Sequence, residues 1–337
     1  MLRITRNLLV YVSVQLISLY IAFRYGQDNP KYSTNHKINP SLLNSTCDEK
    51  VHLRSAPELF KEANVGAGSD KVNRHGYHEA YGPFLLPYLS TPDIRILEIG
   101  VQHGNSLKLW ENLFPRHQLI AGVCYGTFGS IKVNGFKLQF SERAVLYHGD
   151  QSDLKFWKDV EKDLKDQKFD IIIDDGSHVP WHQIFTLETI FGTLLKEGGI
   201  YIVEDVETSY WDRRDRLPSI YGMYKIQGAG VGTRGSVVQK LKEISEVLNR
   251  RFFNMPSFSI LKSKVDHEIA SISFSRNCIV LVKKVKERWK LIDKMDSDKK
   301  KYRPFACDPK SAAFKQYYSK VNYVLTGTPS IEESRKR

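Results

Sequence analysis

Short apolar runs alternate with amphipathic segments through most of this chain. The runs at residues 171–173 and 200–203 are rich in β-branched side chains and contain no charged position. Such runs are typical of strands that are buried on both faces of a parallel sheet. Residues 181–195, between them, have the length and spacing of a crossover helix that Gly198 and Gly199 end. The pattern therefore predicts two neighbouring parallel strands joined by a helix.

The same alternation predicts the other core elements. A first strand begins at Ile94 and leads through a glycine turn into a helix, and two late apolar runs flank a polar turn. Together these elements predict an α/β fold, a Rossmann-like, mostly parallel sheet with helices on both faces and a C-terminal β-hairpin. Further strands are predicted at residues 118–125 and 144–148, the hairpin at 269–274 and 279–284, and helices at 55–63, 152–167 and 236–250.

Acidic residues follow both central strands. Asp174 and Asp175 end the first, and Glu204 and Asp205 end the second. Parallel neighbours bring these acids to one carboxyl edge, where open α/β proteins bind ligands. Clustered carboxylates repel each other unless a cation lies between them, and Mg²⁺ prefers oxygen ligands. The sequence therefore predicts a divalent metal site. Acids that are splayed apart, or paired with lysines and arginines instead, would count against an enzymatic function.

His178 lies three residues after Asp175, at the start of the crossover helix. An imidazole there can face the metal site and remove a proton from a substrate. The alternative is structural: the acids cap helices or form ion pairs, and His178 is a cap. Two acid pairs together with the histidine favour the metal site over this alternative.

A glycine loop follows the first strand. Glu98, Gly100 and Gly104 form an E-x-G-x-x-x-G pattern, in which the glycines allow a sharp turn beneath a nucleotide-like ligand and a helix begins at Asn105. A dinucleotide fingerprint would have glycine at the position of Gln102. The loop by itself is weak evidence for a nucleotide site, but it opens the sheet that carries the acids.

Two other strand ends bear on a nucleoside site. The second strand would carry an acid for the ribose hydroxyls, but Cys124 and Tyr125 stand there. Asp150, after the strand at residues 144–148, is a candidate contact for the adenine amino group, with helix capping as the alternative. Ser152 is predicted to be the N-cap of the next helix.

A polar lead-in rich in Gly, His and Tyr, residues 64–89, precedes the first core strand. Segments of this kind are more often surface covers than catalytic elements. The alternative is that some of its side chains close over a bound ligand. The candidates for that role are Asp70, Lys71, His75, Tyr77 and Tyr81.

Composition excludes few classes of function. The 337 residues are 41% hydrophobic and 26% charged, which is ordinary for a globular protein, and the net charge of +12 is spread out except at residues 299–303. No zinc spacing or RNA-binding signature accompanies it, so no nucleic-acid partner is expected. Four cysteines are too few for a disulfide scaffold. Cys124 and Cys278 are predicted to be buried thiols, and a bridge between Cys47 and Cys307 is left open.

The N-terminal region predicts a membrane setting. Residues 8–23 are apolar, slightly shorter than the ~20 residues that span an average bilayer, and no A-x-A-like cleavage site follows. An uncleaved signal anchor is therefore preferred over a cleaved signal peptide. Asn44 begins a glycosylation tripeptide in a polar stalk. The expected location is the Golgi or endoplasmic reticulum membrane, as a single-pass type II protein with a luminal catalytic domain. The predicted divisions are a tail (1–7), an anchor (8–23), a stalk (24–55), a catalytic domain (56–285) and a basic extension (286–337).

Five stretches carry a family resemblance: LEIGVQHGNSLKLW, GDQSD, FDIIIDDGSH, GGIYIVEDVETSYW and CIVLVKK. Between residues 64 and 284 the chain resembles class I S-adenosylmethionine-dependent methyltransferases. More narrowly, it looks like the metal-dependent sugar O-methyltransferases of macrolide biosynthesis and the related cephalosporin hydroxylase-like family. The resemblance implies S-adenosylmethionine and Mg²⁺ as cofactors and His178 as general base. It implies Mg²⁺ bound by Asp175, Glu204 and Asp205, and cofactor contacts from Glu98, Gly100, Gly104, Asp150 and, beside the methionine portion, Asp174.

The predicted activity is O-methylation of a sugar hydroxyl on a glycan or glycoconjugate. Residues just beyond the acids are candidates for the acceptor site, with a purely structural loop as the alternative: Tyr210, Trp211, Arg213 and Arg214. Two other functions stay open, O-methylation of a lipophilic small molecule and a non-catalytic, membrane-tethered binding protein that kept the fold. Cys124 and Gln102 favour the binding protein, and the acids with His178 argue against it. A homo-oligomer is a further expectation.

Overall fold

The computed structural model describes residues 55–129, 131–211, 232, 235–253 and 255–298. Its strands are β1 (Arg95–Ile99), β2 (Leu119–Cys124), β3 (Thr127–Phe128), β4 (Ile131–Lys132), β5 (Lys137–Ser141), β6 (Ala144–His148), β7 (Phe169–Asp174), β8 (Leu195–Glu204), β9 (Ile269–Ser275) and β10 (Cys278–Lys283). Its α-helices are α1 (Ala56–Ala63), α2 (Asp70–Asn73), α3 (Tyr77–Leu89), α4 (Asn105–Leu113), α5 (Leu154–Leu164), α6 (Pro180–Ile190), α7 (Val237–Val247) and α8 (Lys286–Asp298), and 3₁₀ turns cover Val206–Tyr210, Arg250–Phe253 and Val265–Glu268.

The main sheet has eight strands in the order β5-β6-β2-β1-β7-β8-β10-β9. Strands β6, β2, β1, β7 and β8 are parallel, β5 is an antiparallel edge, and β10 lies antiparallel between β8 and β9. The predicted α/β class, the mostly parallel sheet and the C-terminal hairpin are therefore confirmed. The strand order reverses at β1, between β2 and β7, and a ligand crevice forms at such a point.

Successive residues of the central strands are buried on opposite faces of the sheet, as the two-residue period of a strand requires. Leu97, Ile172 and Tyr201 pack on one face with α5, α6 and α7, whereas Ile96 and Ile171 pack on the other with α1, α3 and α4. Burying one such aliphatic side chain contributes about 1.5–3 kcal/mol. These two layers hold the strand ends in fixed positions.

The polar lead-in is part of the core rather than a surface cover. Tyr77, Tyr81 and Leu85 recur every fourth residue along α3 and are fully buried, and Phe60 of α1 packs edge-on against Trp110. Two prolines and a glycine within α3 obscure this apolar stripe in the sequence. The prediction of a surface cover is therefore wrong.

Three local predictions also differ. The crossover helix ends at Ile190 rather than at 195, and β8 runs through Gly198 and Gly199 with a shift in its register against β7. The two glycines therefore form a bulge within a strand. The N-cap of α5 is Asp153 rather than Ser152, because the Asp153 side chain accepts from the Lys155 N–H. Strands β3 to β5 were not predicted.

The predicted anchor at residues 8–23, Asn44, Cys47 and Cys307 lie outside the described residues. In the part of the chain that the structure describes, no helix is both long and apolar enough to cross a membrane. Cys124 and Cys278 are buried free thiols, as predicted.

Candidate active site

The carboxyl ends of β7 and β8 meet at one edge of the sheet. Asp174 pairs in register with Val203, so Asp175 and Glu204 are the next residues on two adjacent strands. Asp175, His178 and Asp205 each offer one ligand atom, and these three atoms lie within 4.8 Å of one another. All three residues are half-buried, so their side chains remain accessible to a ligand.

Three non-glycine residues around this edge have left-handed backbone conformations. Their φ angles are 57° at His178, 51° at Asp205 and 56° at Asn277. Asparagine and aspartate tolerate this region better than histidine does, and each such residue costs on the order of 1–3 kcal/mol. Strained residues of this kind cluster at functional sites. Their convergence supports the view that this edge is the site of chemistry.

Asp205 is held from two sides. The Tyr77 hydroxyl and the Asn277 amide both donate to Asp205 Oδ1, the latter at 3.0 Å, and the His178 Nε2 atom lies 3.5 Å from Asp205 Oδ2. Burial and the hydrogen bond to Asp205 raise the pKa of Tyr77 far above its usual range, so the hydroxyl stays a donor. The carboxylate is thereby fixed beside the imidazole.

A lysine from the lead-in occupies the other half of the acid cluster. Lys71 Nζ lies 2.6 Å from Asp175 Oδ2, 2.6 Å from Glu204 Oε2 and 3.1 Å from Glu98 Oε1. Burial alone would lower the pKa of Lys71, but these three carboxylates hold it well above its usual value. Burial raises the pKa of Asp175 to about 6 and that of Glu204 well above its usual range, although Lys71 offsets part of this effect.

This arrangement differs from the predicted ligand set. Glu204 is fully buried and pairs with Lys71, and His178 rather than Glu204 stands in the three-residue group with Asp175 and Asp205. The expectation that the acids have no lysine partner is wrong for Asp175 and Glu204. The physical reason is that buried carboxylates need a nearby cation, and the pattern of strand ends does not show where that cation comes from.

The glycine loop touches the acid edge. Gly100 has a φ of 103°, and a Cβ at this position would lie 1.8 Å from the carbonyl oxygen of Asp175. Gly104, with a φ of 80°, is the N-cap of α4. A ligand on this loop would therefore lie next to Asp175.

The predicted cofactor acids have partners within the protein. Fully buried Glu98 accepts from Trp110 Nε1 at 2.8 Å, and Asp174, also buried, accepts from Gln151 Nε2 at 3.1 Å and from the Tyr201 hydroxyl at 3.2 Å. These contacts support the loops beneath a ligand, and direct cofactor contacts from the two acids stay predictions.

Asp150 makes the capping contacts of the structural alternative. Its Oδ1 atom accepts from the Ser152 N–H at 2.8 Å and from the Ser152 hydroxyl at 2.7 Å. At the end of β2 the Cys124 thiol is buried, while the Tyr125 side chain is 77% exposed. The adenine contact of Asp150 stays a prediction.

Of the predicted acceptor residues, Tyr210 is 44% exposed at the end of the turn after β8, and Trp211 follows it half-buried. Arg213 and Arg214 lie outside the described residues. Trp181, which is 56% exposed on the first turn of α6, is a further aromatic face three residues from His178. These acceptor contacts stay predictions.

Sequence reasoning gave no specific role to four residues of this site. Lys71 and Tyr77 appeared only as alternatives within the lead-in, and Asn277 only as part of a turn. Gln151 lies in the GDQSD stretch, and its Oε1 atom accepts from the Ser177 N–H at 2.5 Å. Their roles depend on partners far away in sequence, which local patterns do not reveal.

The donors suit a divalent cation. The carboxylates of Asp175 and Asp205 can each supply one oxygen ligand, and the Oε1 atom of Glu204 is buried without a hydrogen-bond partner among the described residues. Mg²⁺ prefers oxygen ligands and keeps several waters, which leaves the neighbouring His178 imidazole free to accept a proton. The residues present therefore fit a divalent ion, with Lys71 as a neighbour that shares two of its carboxylates.

Comparison with known proteins supports the fold and the resemblance. No protein-family model matches the sequence. The 8-demethyl-8-alpha-L-rhamnosyl tetracenomycin-C 2'-O-methyltransferase of Streptomyces olivaceus is 32% identical over 164 residues, which is 47% of this chain and 38% of that protein. The mycinamicin VI 2''-O-methyltransferase of Micromonospora griseorubida is 35% identical over 125 residues, 35% of this chain and 28% of that protein. The structure of the MycE methyltransferase, solved in complex with Mg, SAH and mycinamycin VI, aligns with a TM-score of 0.52 at 24% identity, over 67% of this chain and 54% of that chain.

The fold is that of a class I methyltransferase. The predicted resemblance is confirmed: the chain is a relative of the sugar O-methyltransferases of macrolide and polyketide biosynthesis, and all five curated matches are named O-methyltransferases. The chain spans only 28–38% of the length of the two curated relatives described above.

The predicted compartment is wrong. The curated relatives come from the bacterial genera Streptomyces and Micromonospora, and bacteria have neither a Golgi apparatus nor an endoplasmic reticulum. The apolar run and the glycosylation tripeptide that suggested the compartment are short patterns that also arise without that setting.

Proposed function

We propose that this chain is an S-adenosylmethionine-dependent and Mg²⁺-dependent O-methyltransferase that acts on a sugar hydroxyl. The observation that carries the proposal is the group Asp175, His178 and Asp205, whose ligand atoms lie within 4.8 Å of one another beside the Gly100 loop. A proton acceptor, a cation site and a nucleotide-type loop thus share one edge of the sheet.

The two cofactors would be held by different strand ends. When bound, S-adenosylmethionine supplies the methyl group, and a divalent ion holds the acceptor hydroxyl and lowers its pKa. The glycine loop at Gly100 and Gly104 would hold S-adenosylmethionine. The divalent ion would be held by Asp175, Asp205 and the unpartnered Oε1 atom of Glu204. Binding both next to each other favours reaction by proximity.

His178 has the position of a general base. Its Nε2 atom lies 3.5 Å from Asp205 Oδ2, and Tyr77 and Asn277 fix that carboxylate. Asp205 would orient the ring and stabilise the imidazolium that forms when His178 accepts the hydroxyl proton. His178 has a left-handed backbone in the turn before α6, and its ring lies beside Asp205.

The acceptor would lie against the exposed aromatic residues of this edge. Tyr210 and Trp181 follow β8 and β7, and their apolar faces could pack against a pyranose ring while a hydroxyl reaches His178. Two relatives are named as O-methyltransferases of a rhamnosyl tetracenomycin and of mycinamicin VI, which supports a sugar-bearing acceptor. A glycoconjugate therefore fits better than a bare lipophilic molecule.

A second function is favoured by one observation. Lys71 already neutralises part of the acid cluster, and a domain that needs no metal could be a non-catalytic binding protein with the same fold. Such a protein would still bind a nucleoside or a sugar at this edge, but it would transfer no methyl group.

One experiment separates the two functions. The purified chain is incubated with S-adenosylmethionine carrying a ¹³C methyl group, Mg²⁺ and three acceptor classes: glycosylated macrolides, free oligosaccharides and sugar-free aglycones. We expect label on a sugar oxygen, and none in excess chelator. Label on the aglycones alone would overturn the sugar assignment. Calorimetric binding of S-adenosylmethionine without transfer to any acceptor would favour the binding protein.

A further inference from the structure

We infer that Lys71 is an internal counter-ion of the carboxylate cluster and competes with the divalent ion for Asp175 and Glu204. The inference rests on the proposed function only in taking this cluster as the metal-binding edge. It concerns the carboxylate cluster before a divalent ion binds, and it can be tested without measuring methyl transfer.

The surrounding structure fixes the position of Lys71. The residue is 1% exposed, on a short helix whose N-cap is Ser69. Asn64 fixes this turn, because its amide donates to the Ser69 carbonyl at 3.2 Å and its Oδ1 atom accepts from the Ser69 N–H at 2.8 Å. The ammonium is therefore held among the acids instead of reaching them by chance from the surface.

The charges in the cluster do not cancel. One ammonium faces three carboxylates within 3.1 Å, those of Glu98, Asp175 and Glu204. Asp205 adds a further acid at the same edge, with only the His178 imidazole as its ion-pair neighbour among the described residues. The cluster therefore has room for more positive charge than Lys71 supplies, which is what binding of a divalent ion requires.

Lys71 and a metal ion would need the same oxygens. The ammonium bridges Asp175 and Glu204, two of the three residues that the family resemblance assigns to Mg²⁺. Two cations that share these carboxylates repel each other, so each weakens the binding of the other. Glu98 is not one of the assigned ligands, and it can keep Lys71 when a metal ion takes the other two acids.

Two buried polar atoms indicate that the cluster is not fully satisfied. Glu204 Oε1 and the Tyr81 hydroxyl are buried without hydrogen-bond partners among the described residues. Buried groups of this kind usually have a partner. A bound cation and its waters would provide a partner for Glu204 Oε1, since Lys71 contacts the other oxygen, Oε2.

The test is the variant Lys71→Met, which removes the charge and keeps the length of the side chain. Without metal, its melting temperature should fall by several degrees, because breaking a buried ion pair leaves uncompensated charge. Mg²⁺ or Mn²⁺ should restore most of the loss, and calorimetry should give an affinity for either ion at least about tenfold tighter than in the unaltered protein.

The matched control is Lys283→Met. Lys283 is also buried and pairs with Glu268 at 3.1 Å, but it lies at the end of β10 opposite to the acid cluster. We expect this variant to lose stability without any rescue by metal. Should Lys71→Met fail to fold, the double variant Lys71→Met/Glu98→Gln removes one acid with the lysine and keeps the acceptor for Trp110.

The results discriminate clearly. Metal affinity that is unchanged or weaker in Lys71→Met, or equal rescue of the Lys283 variant, would overturn the inference. So would the absence of divalent-ion binding in the unaltered protein and in both Lys71 variants. Tighter binding in the Lys71 variant without methyl transfer by the unaltered protein would uphold the inference and reject the proposed function.

Discussion

Asn277 donates a hydrogen bond from Nδ2 to Asp205 Oδ1 at 3.0 Å, across 72 residues of sequence. The same amide donates to the Tyr77 hydroxyl at 2.8 Å, and its oxygen accepts from the Glu207 N–H. The hairpin turn between β9 and β10 therefore orients an acid at the end of β8. It can do so because β10 runs antiparallel beside β8, with Cys278 opposite Glu204.

The variant Asn277→Gly tests this contact. Glycine accepts the left-handed backbone of Asn277 without strain, which offsets part of the loss of its three side-chain hydrogen bonds, so the fold should lose about 1–3 kcal/mol of stability. Methyl transfer should fall by about tenfold or more, because Asp205 no longer holds a fixed orientation beside His178. Kinetics and denaturant unfolding on the same preparation check both parts. A variant that loses stability but keeps normal turnover once folded would point to a merely structural turn.

The variant His178→Ala should lower turnover by about 10²–10⁴-fold and leave the affinity for S-adenosylmethionine unchanged, because a general base acts only on the acceptor proton. Single-turnover kinetics and calorimetry measure the two quantities. His267→Ala is the control: His267 precedes β9 at the opposite edge of the sheet, and its loss should not affect turnover. Normal turnover in the His178 variant would remove the histidine from the mechanism.

The variant Gly100→Ala should weaken the affinity for S-adenosylmethionine by tenfold or more. A Cβ at this position would lie 1.8 Å from the Asp175 carbonyl oxygen, so the loop and the acid edge must move apart. Gly126→Ala is the matched control, because Gly126 also has a positive φ, of 76°, but a Cβ there meets nothing within 4 Å. Similar affinities for S-adenosylmethionine in the two variants would show that the clash at Gly100 does not affect cofactor binding.

Metal binding should depend on pH through Asp175. Burial raises the pKa of Asp175 to about 6 in the folded protein, from a usual value of 3.8, although Lys71 and His178 lower it in part. Between pH 3.8 and about 6, the metal-free folded state therefore holds a proton that the unfolded chain has lost. This proton stabilises the fold at acidic pH, and that stability is lost as the pH rises through about 6.

A divalent ion needs the ionised carboxylate, so Mg²⁺ affinity should fall as the pH drops below about 6 and level off above it. Calorimetry between pH 5 and 8 measures this dependence. Asp175→Asn is the control, since it should bind Mg²⁺ weakly at every pH and show no such step. A flat affinity in the unaltered protein would mean that protons and metal do not compete at Asp175.

The sheet and its acidic edge could be predicted because buried parallel strands are continuous apolar runs whose ends are marked by polar residues. β1, β2, β6, β7, β8 and the hairpin all show this signal. β5 does not, because its sequence, KLQFS, is largely exposed at the edge of the sheet and lacks an apolar face. The end of α6 was misplaced because glycines that form a bulge in a strand look like glycines that end a helix.

The partners of the acids could not be predicted. Lys71 is separated by 104 residues from Asp175 and by 133 from Glu204. Tyr77 and Asn277 meet across 200 residues. Nothing local marks a lysine that the fold buries among acids, since its neighbours are the small and polar residues of a turn. Spacing therefore shows where the acids gather, and only the fold shows what neutralises them.

The antiparallel strand β10 also determines when the site is complete during synthesis. A nascent chain that has emerged as far as β8 already carries Lys71, His178 and every acid of the edge, but it lacks Asn277. Until the ribosome has added the closing hairpin, Asp205 has Tyr77 but lacks Asn277 as a hydrogen-bond donor, and the edge of β8 is uncovered. The acid cluster therefore reaches its working shape only when nearly the whole domain has left the exit tunnel.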